Sequence, residues 1–323
     1  MRVGFIGLGN AGGALAGNLL ANGGFQLAVH DLDSSTVARF VADGALDGGS
    51  PRALAEASDI IITCLPSPAA SRAVLEGADG ILEGIGSGKV WLEMSTTDAD
   101  EIRRLVSLVE GGGSDGVDCP VSGGVHRAAT GNISIFAGCR RDVFERVLPV
   151  LRVLGRNILH TGGVGTASTL KVMTNYLATA NLLTLCEALV TMKAAGMDLA
   201  TTYEAIRISS GNSFVHETES QVILNGSRDI SFSMDLVQKD IGLFQKIASD
   251  AGVPLEISPL MIEMFRDGQR RYGNRANSDD IIRRLEEATG LSILAEGFPP
   301  AMVDAEPFGL GEEIVPRGRA QRS

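Results

Sequence analysis

A glycine-rich hexapeptide near the start of the chain constrains the fold more than any other feature. The short apolar run Arg2–Ile6 leads directly into it, and a helical pattern follows it. In such a strand–turn–helix unit the first glycine permits the turn, the second lets a pyrophosphate approach the backbone, and the third lets helix and strand pack closely. We therefore predict a dinucleotide-binding loop, with a purely structural turn as the alternative. Its residues are Gly7, Leu8, Gly9, Asn10, Ala11 and Gly12.

An acidic residue at the end of the second predicted strand supports this interpretation. Asp31 follows Gly12 by 19 residues. A carboxylate at this point accepts hydrogen bonds from the adenosine ribose hydroxyls and repels a 2′-phosphate. The next cation along the chain is Arg39, so we predict that the cofactor is NAD rather than NADP. A helix-capping role is the alternative for Asp31.

Strand and helix signals alternate over the first half of the chain and then change character. Short apolar runs separated by helical patterns are typical of βαβ units and of a doubly wound, mostly parallel sheet. One helix is predicted at residues 34–41, capped by Ser34 or Ser35. Beyond residue 162 the strand signal almost disappears, and residues 166–195 form one long helical pattern.

These patterns predict an α/β fold in three parts. A Rossmann-type dinucleotide-binding domain covers residues 1–162, and an all-helical second domain covers residues 163–292. The tail, residues 293–323, loses periodicity and gains proline, so we expect it to be extended or partly disordered.

Charge and composition exclude several classes of function. The chain has 28 Lys and Arg residues against 39 Asp and Glu residues, a net charge of −11 that disfavours nucleic-acid partners. Its four histidines and four scattered cysteines show no metal-binding spacing, so no metal site is predicted. The most apolar segment, residues 176–195, contains Glu187 and Lys193 and is interpreted as a buried soluble helix rather than a membrane span. With no signal-peptide pattern, we expect a cytoplasmic protein.

Three further motifs, together with the glycine loop, resemble the 3-hydroxyisobutyrate dehydrogenase, or β-hydroxyacid dehydrogenase, family. The resemblance covers the whole chain except the tail. The motifs are Asp118-Cys119-Pro120-Val121-Ser122-Gly123-Gly124, then Gly162-Gly163-Val164-Gly165 followed by Lys171 and Asn175, and finally Phe232, Leu236, Lys239-Asp240 and Leu243.

Some positions depart from the family pattern. Cys119 stands where alanine is usual, and Phe214 stands where relatives often carry tryptophan. His126 and Arg127 replace small residues just after the presumed substrate loop, where they would add positive potential or simply lie on the loop surface. Because His126 and Arg127 lie beside that loop, they leave open which substrate binds more than which reaction is catalysed.

The Ser122-Gly123-Gly124 turn is a candidate carboxylate site. Adjacent glycines expose backbone N–H groups and the serine hydroxyl adds a donor, an arrangement that suits a carboxylate. The resemblance assigns this turn to the carboxylate of the substrate. An ordinary flexible turn is the alternative.

Lys171 is the candidate general acid and base. Its neighbours on the helix face are small or polar, and no acidic residue occupies positions 167, 168, 174 or 175. We therefore expect a partly buried amine with a lowered pKa, as proton transfer near neutral pH requires. Asn175, one turn further on, is predicted to orient the substrate or the lysine. For an isolated lysine, coverage of apolar surface would be the alternative.

The remaining cofactor contacts come from strand ends and from the resemblance. Leu65 and Pro66 end an apolar strand, and strand carboxyl ends face the ligand crevice in such sheets. The resemblance implies that Thr96 contacts the cofactor and that Lys239 closes over it from the second domain.

Together with these residues, the resemblance implies reversible NAD-dependent oxidation of a small 3-hydroxy acid by a homodimer or homotetramer. The second domain would serve substrate binding and oligomerisation. Other activities of the same family remain open, namely reduction of tartronate semialdehyde and oxidation of serine, threonate or a similar acid. A non-catalytic cofactor-binding scaffold is the alternative of a different class.

The cofactor assignment is tested by the ratio of kcat/KM measured with the two cofactors. We expect the value with NAD to exceed the value with NADP, because the Asp31 carboxylate repels a 2′-phosphate. A clear preference for NADP would contradict the assignment.

Overall fold

A computed structural model describes residues 1–318, and it divides the chain into two compact units. The first unit comprises Met1–Lys171 together with residues 304–318, and the second comprises Val172–Val303. The boundary between them falls inside the long helix, beyond the predicted residue 162. The end of the predicted tail, residues 319–323, lies outside the described residues.

The first unit is built on a ten-stranded sheet with the spatial order β10-β9-β8-β6-β5-β4-β1-β2-β3, and β7 pairs with β8. The segment β3-β2-β1-β4-β5-β6 is parallel throughout and has the strand order of a doubly wound dinucleotide-binding fold. Only the β6–β8 and β7–β8 pairs are antiparallel among the described strands. The strands are β1 (Arg2–Ile6), β2 (Gln26–His30), β3 (Leu46–Asp47), β4 (Ile60–Thr63), β5 (Val90–Glu93), β6 (Asp115–Asp118), β7 (Val121–Ser122), β8 (Ser134–Gly138), β9 (Asn157–Gly162) and β10 (Glu312–Glu313).

Helices cover both faces of this sheet, because its central strands are apolar on both sides. In β4, Ile60 and Ile62 face one hydrophobic cluster and Ile61 faces another, as the two-residue period of a strand dictates. The helices of this unit are α1 (Asn10–Asn22), α2 (Ser34–Ala42), α3 (Pro51–Ala57), α4 (Pro68–Glu76), α5 (Ile81–Gly84), α6 (Ala99–Gly111), α7 (Val125–Thr130) and α8 (Arg141–Leu154).

The second unit is helical, as predicted. Its core is lined by Leu182, Cys186 and Leu189 of the long helix and by residues of the helices that follow. The long helix is apolar and long enough to cross a membrane by length and composition alone, but these buried side chains make it part of a protein core. The helices are α9 (Thr166–Ala194), α10 (Leu199–Arg207), α11 (Phe214–Asn225), α12 (Met234–Asp250), α13 (Ile257–Tyr272), a 3-10 helix (Ser278–Ile282) and α14 (Arg283–Thr289).

The predicted cap of α2 is wrong. Asp33, rather than Ser34 or Ser35, occupies the N-cap position, with extended backbone and a carboxylate that accepts from the Ser35 backbone N–H at 3.0 Å. The same carboxylate accepts from the Thr36 hydroxyl at 2.7 Å. A carboxylate with several local donors and a favourable helix dipole outcompetes the neighbouring serines.

Two glycines of α1 provide a matched test of the turn geometry. A methyl group at Gly12 would lie 2.0 Å from the Gly7 carbonyl oxygen, whereas one at Gly17 would meet nothing within 4 Å. We expect Gly12→Ala to lower the unfolding free energy by about 1–3 kcal/mol through overpacking. Gly17→Ala should raise it by about 0.5–1 kcal/mol through helix propensity. Chemical denaturation measures both, and equal effects would contradict the packing account.

Candidate active site

The predicted cofactor residues of the first unit lie along one edge of the parallel sheet. The glycine loop follows β1, Asp31 follows β2, Leu65 and Pro66 follow β4, and Thr96 follows β5. The carboxyl ends of parallel strands share one edge, and β1 and β4 flank the point where the strand order reverses. In open α/β sheets this is where dinucleotides bind.

The glycine loop fits a dinucleotide. Gly7 has φ +96°, and a methyl group there would lie 2.4 Å from the Cys64 carbonyl oxygen. Protein atoms leave no room for a methyl group at Gly12 either, but a methyl group at Gly9 would meet no protein atom within 4 Å. The packing of the protein therefore requires the first and third glycines, whereas the second leaves room for a ligand at the N-terminus of α1.

Asp31 braces this loop. Its Oδ2 accepts from the Leu8 backbone N–H at 2.6 Å and its Oδ1 accepts from the Asp33 backbone N–H at 2.9 Å. Because Asp33 caps α2, the alternative capping role for Asp31 is not what the structure shows. Each carboxylate oxygen keeps further acceptor capacity, so the brace is compatible with ribose binding.

A buried carboxyl group beneath the cofactor edge escaped the sequence analysis. Glu93, at the end of β5, is 0% exposed and accepts from the Ser95 backbone N–H at 2.8 Å and from the Thr63 hydroxyl at 3.1 Å. The Ser95 hydroxyl in turn accepts from the Leu65 backbone N–H at 2.7 Å. Burial raises the pKa of Glu93. The sequence signal that could have identified it is that Glu93 is a charged residue in an otherwise apolar strand.

The structure brings Lys171 to the predicted substrate turn. Its Nζ donates to the Ser122 hydroxyl at 3.3 Å, and the lysine is 7% exposed. Gly123 and Gly124 have φ of +132° and +86°, values that only glycine adopts without strain. A buried amine and a serine hydroxyl therefore lie beside a turn that presents backbone N–H groups.

Asp118 fixes the start of the helix that carries Lys171. Its Oδ2 accepts from the backbone N–H groups of Gly165 and Ser168, each at 2.9 Å, and its Oδ1 accepts from the Ser168 hydroxyl at 2.6 Å. Burial raises the pKa of Asp118, and these hydrogen bonds oppose that effect. Asp118 belongs to a motif that was identified in the sequence, but this capping role was not predicted.

In the second unit the structure joins Asn175 to Lys239 through Asp240. The Asn175 amide donates to Asp240 Oδ2 at 2.5 Å, and Lys239 Nζ lies 3.0 Å from Asp240 Oδ1. Asp240 is 2% exposed, so its carboxylate is a buried anchor between α9 and α12. Lys239 and Asp240 were predicted as a motif, but the link to Asn175 was not.

His126 does not add the positive charge considered in the sequence analysis. Burial and the neighbouring Arg127 charge lower its pKa, so the ring is neutral at pH 7. The ring lies against the substrate turn, since a methyl group at Gly124 would come within 2.8 Å of His126 Cε1. The neutral ring therefore contacts this turn by packing and not by charge. Within residues 1–318, no group of three or more His, Cys, Asp or Glu side chains is arranged to hold a metal ion.

Comparison with known proteins agrees with this geometry. Residues 2–162 match the model of the NAD-binding domain of 6-phosphogluconate dehydrogenase, and residues 165–285 match the NAD-binding domain of NADP-dependent 3-hydroxyisobutyrate dehydrogenase. The chain is 34% identical over 294 residues to 2-(hydroxymethyl)glutarate dehydrogenase of Eubacterium barkeri, covering 91% of this chain and 97% of that relative. It is 32% identical over 271 residues to mitochondrial 3-hydroxyisobutyrate dehydrogenase of Mus musculus, and the match covers 82% of this chain and 81% of that relative.

A solved structure has the same fold. The 3-hydroxyisobutyrate dehydrogenase of Salmonella typhimurium superimposes with a TM-score of 0.80 at 25% identity, covering 88% of this chain and 99% of that one. Fold, cofactor edge and sequence together define an NAD(P)-dependent dehydrogenase of small hydroxy acids. The chain belongs to the 3-hydroxyisobutyrate dehydrogenase family of β-hydroxyacid dehydrogenases.

The cap formed by Asp118 is tested by comparison with an ordinary cap on another helix. Asp118→Ala leaves buried donors unsatisfied, at about 1–3 kcal/mol each, and we expect kcat to fall about tenfold because Lys171 loses its fixed position. Asp198→Ala removes the exposed cap of α10, which accepts from the Thr201 backbone N–H. That control should cost about 1 kcal/mol in stability and leave kcat unchanged. Equal kcat values in the two variants would contradict the role of Asp118.

Proposed function

We propose that this protein oxidises a small 3-hydroxy carboxylic acid with NAD, using Lys171 as general base. The observation that carries the proposal is the hydrogen bond from the buried Lys171 Nζ to Ser122 beside two glycines with positive φ. A carboxylate bound by this turn would place the hydroxyl group of a 3-hydroxy acid within reach of the amine. The turn would then bind the carboxylate end of a three-carbon unit, and the Lys171 amine would bind its hydroxyl end.

The residues of the chain divide the chemistry between binding and proton transfer. NAD, when bound, accepts the hydride from the carbinol carbon. In oxidation, neutral Lys171 takes the hydroxyl proton as the carbonyl forms and releases it to solvent. In reduction, the charged amine returns a proton to the carbonyl oxygen. Ser122 and the N–H groups of Gly123 and Gly124 hold the carboxylate, so that the reacting hydroxyl group is oriented before reaction.

The cluster in the second unit has a positioning role in this proposal. Asp240 holds the Asn175 amide and the Lys239 amine by short contacts of 2.5 and 3.0 Å. Asn175 lies one turn beyond Lys171 on α9 and is proposed to orient the substrate. Lys239 is proposed to bind the cofactor, and its charge is balanced by the buried carboxylate of Asp240.

The preference for NAD rests on the charge at the end of β2. The carboxylates of Asp31 and Asp33 lie two residues apart, and hydrogen bonds from Ser35 and Thr36 lower the pKa of Asp33 to about 2. A 2′-phosphate would meet two negative groups there. The guanidinium group of Arg39, one turn further along α2, donates to the Thr36 hydroxyl at 3.1 Å. These contacts favour NAD, although the matched family model is described as NADP-dependent.

We propose 3-hydroxyisobutyrate as the first substrate to test. Related activities within the family are the alternatives: reduction of tartronate semialdehyde, and oxidation of serine or threonate. Because one relative is a 2-(hydroxymethyl)glutarate dehydrogenase, acids with a second carboxylate are further candidate substrates. All share a carboxylate and, on the third carbon or its equivalent, either a hydroxyl group or the carbonyl group to which it is oxidised. A scaffold without catalysis would bind NAD and turn over none of them.

We also propose a cytoplasmic homodimer or homotetramer. Only 33% of the apolar window of α9 is buried within the chain, and Leu177 on this helix is half exposed. An apolar surface of this kind is typical of interfaces between subunits. All four cysteines are free thiols, which suits a reducing compartment.

The decisive variant is Lys171→Met. We expect kcat to fall at least ~100-fold, a typical contribution of general acid–base catalysis, while the Kd for NAD changes little. Lys193→Met, at the other end of the same helix, is the matched control and should keep wild-type kcat. Initial rates of NADH formation and a binding titration provide the measurements. Wild-type turnover by Lys171→Met would remove this residue from the mechanism.

A further inference from the structure

The last described segment, residues 304–318, packs on the first unit and is named here the C-terminal arm. The family models end at residue 285, and the Salmonella structure is covered over 99% of its length while 12% of this chain is left over. The arm therefore lies beyond the part of the chain shared with the matched models.

The start of the arm holds the end of α7. The Asp304 carboxylate accepts from the Thr130 hydroxyl and, at 2.7 Å, from the Asn132 amide. The same amide donates to the Glu306 carbonyl at 2.8 Å, and Asn132 is 1% exposed. Although burial raises the pKa of Asp304, the hydrogen bonds from Thr130 and Asn132 and the charge of Arg127 lower it. Asp304 is therefore an ionised acceptor at neutral pH.

An aromatic side chain of the arm completes the contact. Gly131 ends α7 with φ +77°, and a methyl group there would lie 2.8 Å from Phe308 Cδ2. The Phe308 ring thus rests directly on the backbone at the end of the helix. Only a residue without a side chain allows this approach.

The rest of the arm is anchored along the edge of the sheet. The Arg156 guanidinium donates to the Pro307 carbonyl at 2.8 Å, and the Gly311 backbone N–H donates to the Arg152 carbonyl at 2.7 Å. Strand β10 pairs in parallel with β9, and Arg141 binds Glu313 through two hydrogen bonds. The arm is therefore fixed at both ends on the first unit.

Helix α7 links the arm to the substrate turn. It has six residues, Val125–Thr130, and begins directly after Gly124. At its other end are Thr130, Gly131 and Asn132, which the start of the arm contacts. A helix of less than two turns cannot hold its own position by local hydrogen bonds. Its orientation therefore depends on tertiary contacts: α7 packs against α1 with Ala128 in the core of the first unit, and the arm holds its C-terminal end.

We propose that the C-terminal arm is a positioning element of the active site, in which Asp304 and Phe308 fix α7 and thereby hold the Ser122-Gly123-Gly124 turn ready for the substrate carboxylate. This proposal rests on the function proposed above. Two successive glycines with positive φ have much conformational freedom, which would otherwise be lost when the carboxylate binds. Ordering the turn in advance lowers that cost and strengthens binding.

The test compares wild-type protein with Asp304→Ala, Asp304→Asn and the distal control Glu313→Gln. In Asp304→Ala we expect faster hydrogen–deuterium exchange of backbone amides in residues 121–132. We also expect KM for the hydroxy acid to rise by about tenfold, the effect of one well-placed hydrogen-bonded contact, with kcat and the Kd for NAD nearly unchanged. Asp304→Asn keeps an acceptor oxygen for Thr130 and Asn132 and should restore most of the KM. Glu313→Gln should resemble wild type, because the amide oxygen still accepts from Arg141 and backbone hydrogen bonds keep β10 paired with β9.

Two results would overturn the proposal: Asp304→Ala with wild-type exchange in residues 121–132, or with wild-type KM despite faster exchange. If Asp304→Ala does not fold, Phe308→Ala gives the same comparison. Failure of the proposed function is separable, since it would appear as wild-type protein that reduces no NAD with any 3-hydroxy acid. In that case the exchange measurement still tests whether Asp304 orders residues 121–132, because it requires no turnover.

Discussion

The carboxylate of Asp118 is the interaction on which the arrangement of the site depends. It lies at the end of β6, fully buried, and binds the first turn of α9 through Gly165 and Ser168. Lys171 is three residues further along the same helix, so the sheet that binds the cofactor also sets the position of the amine. An anionic group at a helix N-terminus is favourable because it meets free N–H groups and the positive end of the dipole. One buried acid thus ties the helix that carries Lys171 to the sheet whose edge carries the glycine loop.

The parts of the molecule that follow from local chemistry were predictable from the sequence. The strand–Gly7–Gly12–helix unit requires particular glycines for backbone reasons, and the fold it implied is confirmed by the topology and by the family matches. The change to an all-helical region followed from hydrophobic periodicity in the same way. Lys171 and Ser122 were selected from their neighbours along the chain together with the resemblance to the family. Their hydrogen bond shows that two separate motifs converge.

What the sequence did not predict are contacts between residues distant along the chain. Glu93, Asp118 and Asp240 are buried carboxyl groups whose partners come from other elements. Glu93 has one local signal, its place in an apolar strand, whereas no local pattern distinguishes Asp118 and Asp240 from acids on a surface. The cap of α2 by Asp33 was missed because three adjacent residues, Asp33, Ser34 and Ser35, are all good caps. The C-terminal arm has no periodicity at all, since its order comes from hydrogen bonds to the first unit.

The central claim is that the Lys171 amine transfers the proton, and chemical rescue tests it most directly. In Lys171→Ala, small primary amines can enter the space left by the side chain and act as the base. The account predicts that the rate of hydroxy-acid oxidation by this variant rises in proportion to the concentration of unprotonated amine. A rate that is independent of amine concentration, with NAD and substrate both bound, would contradict it.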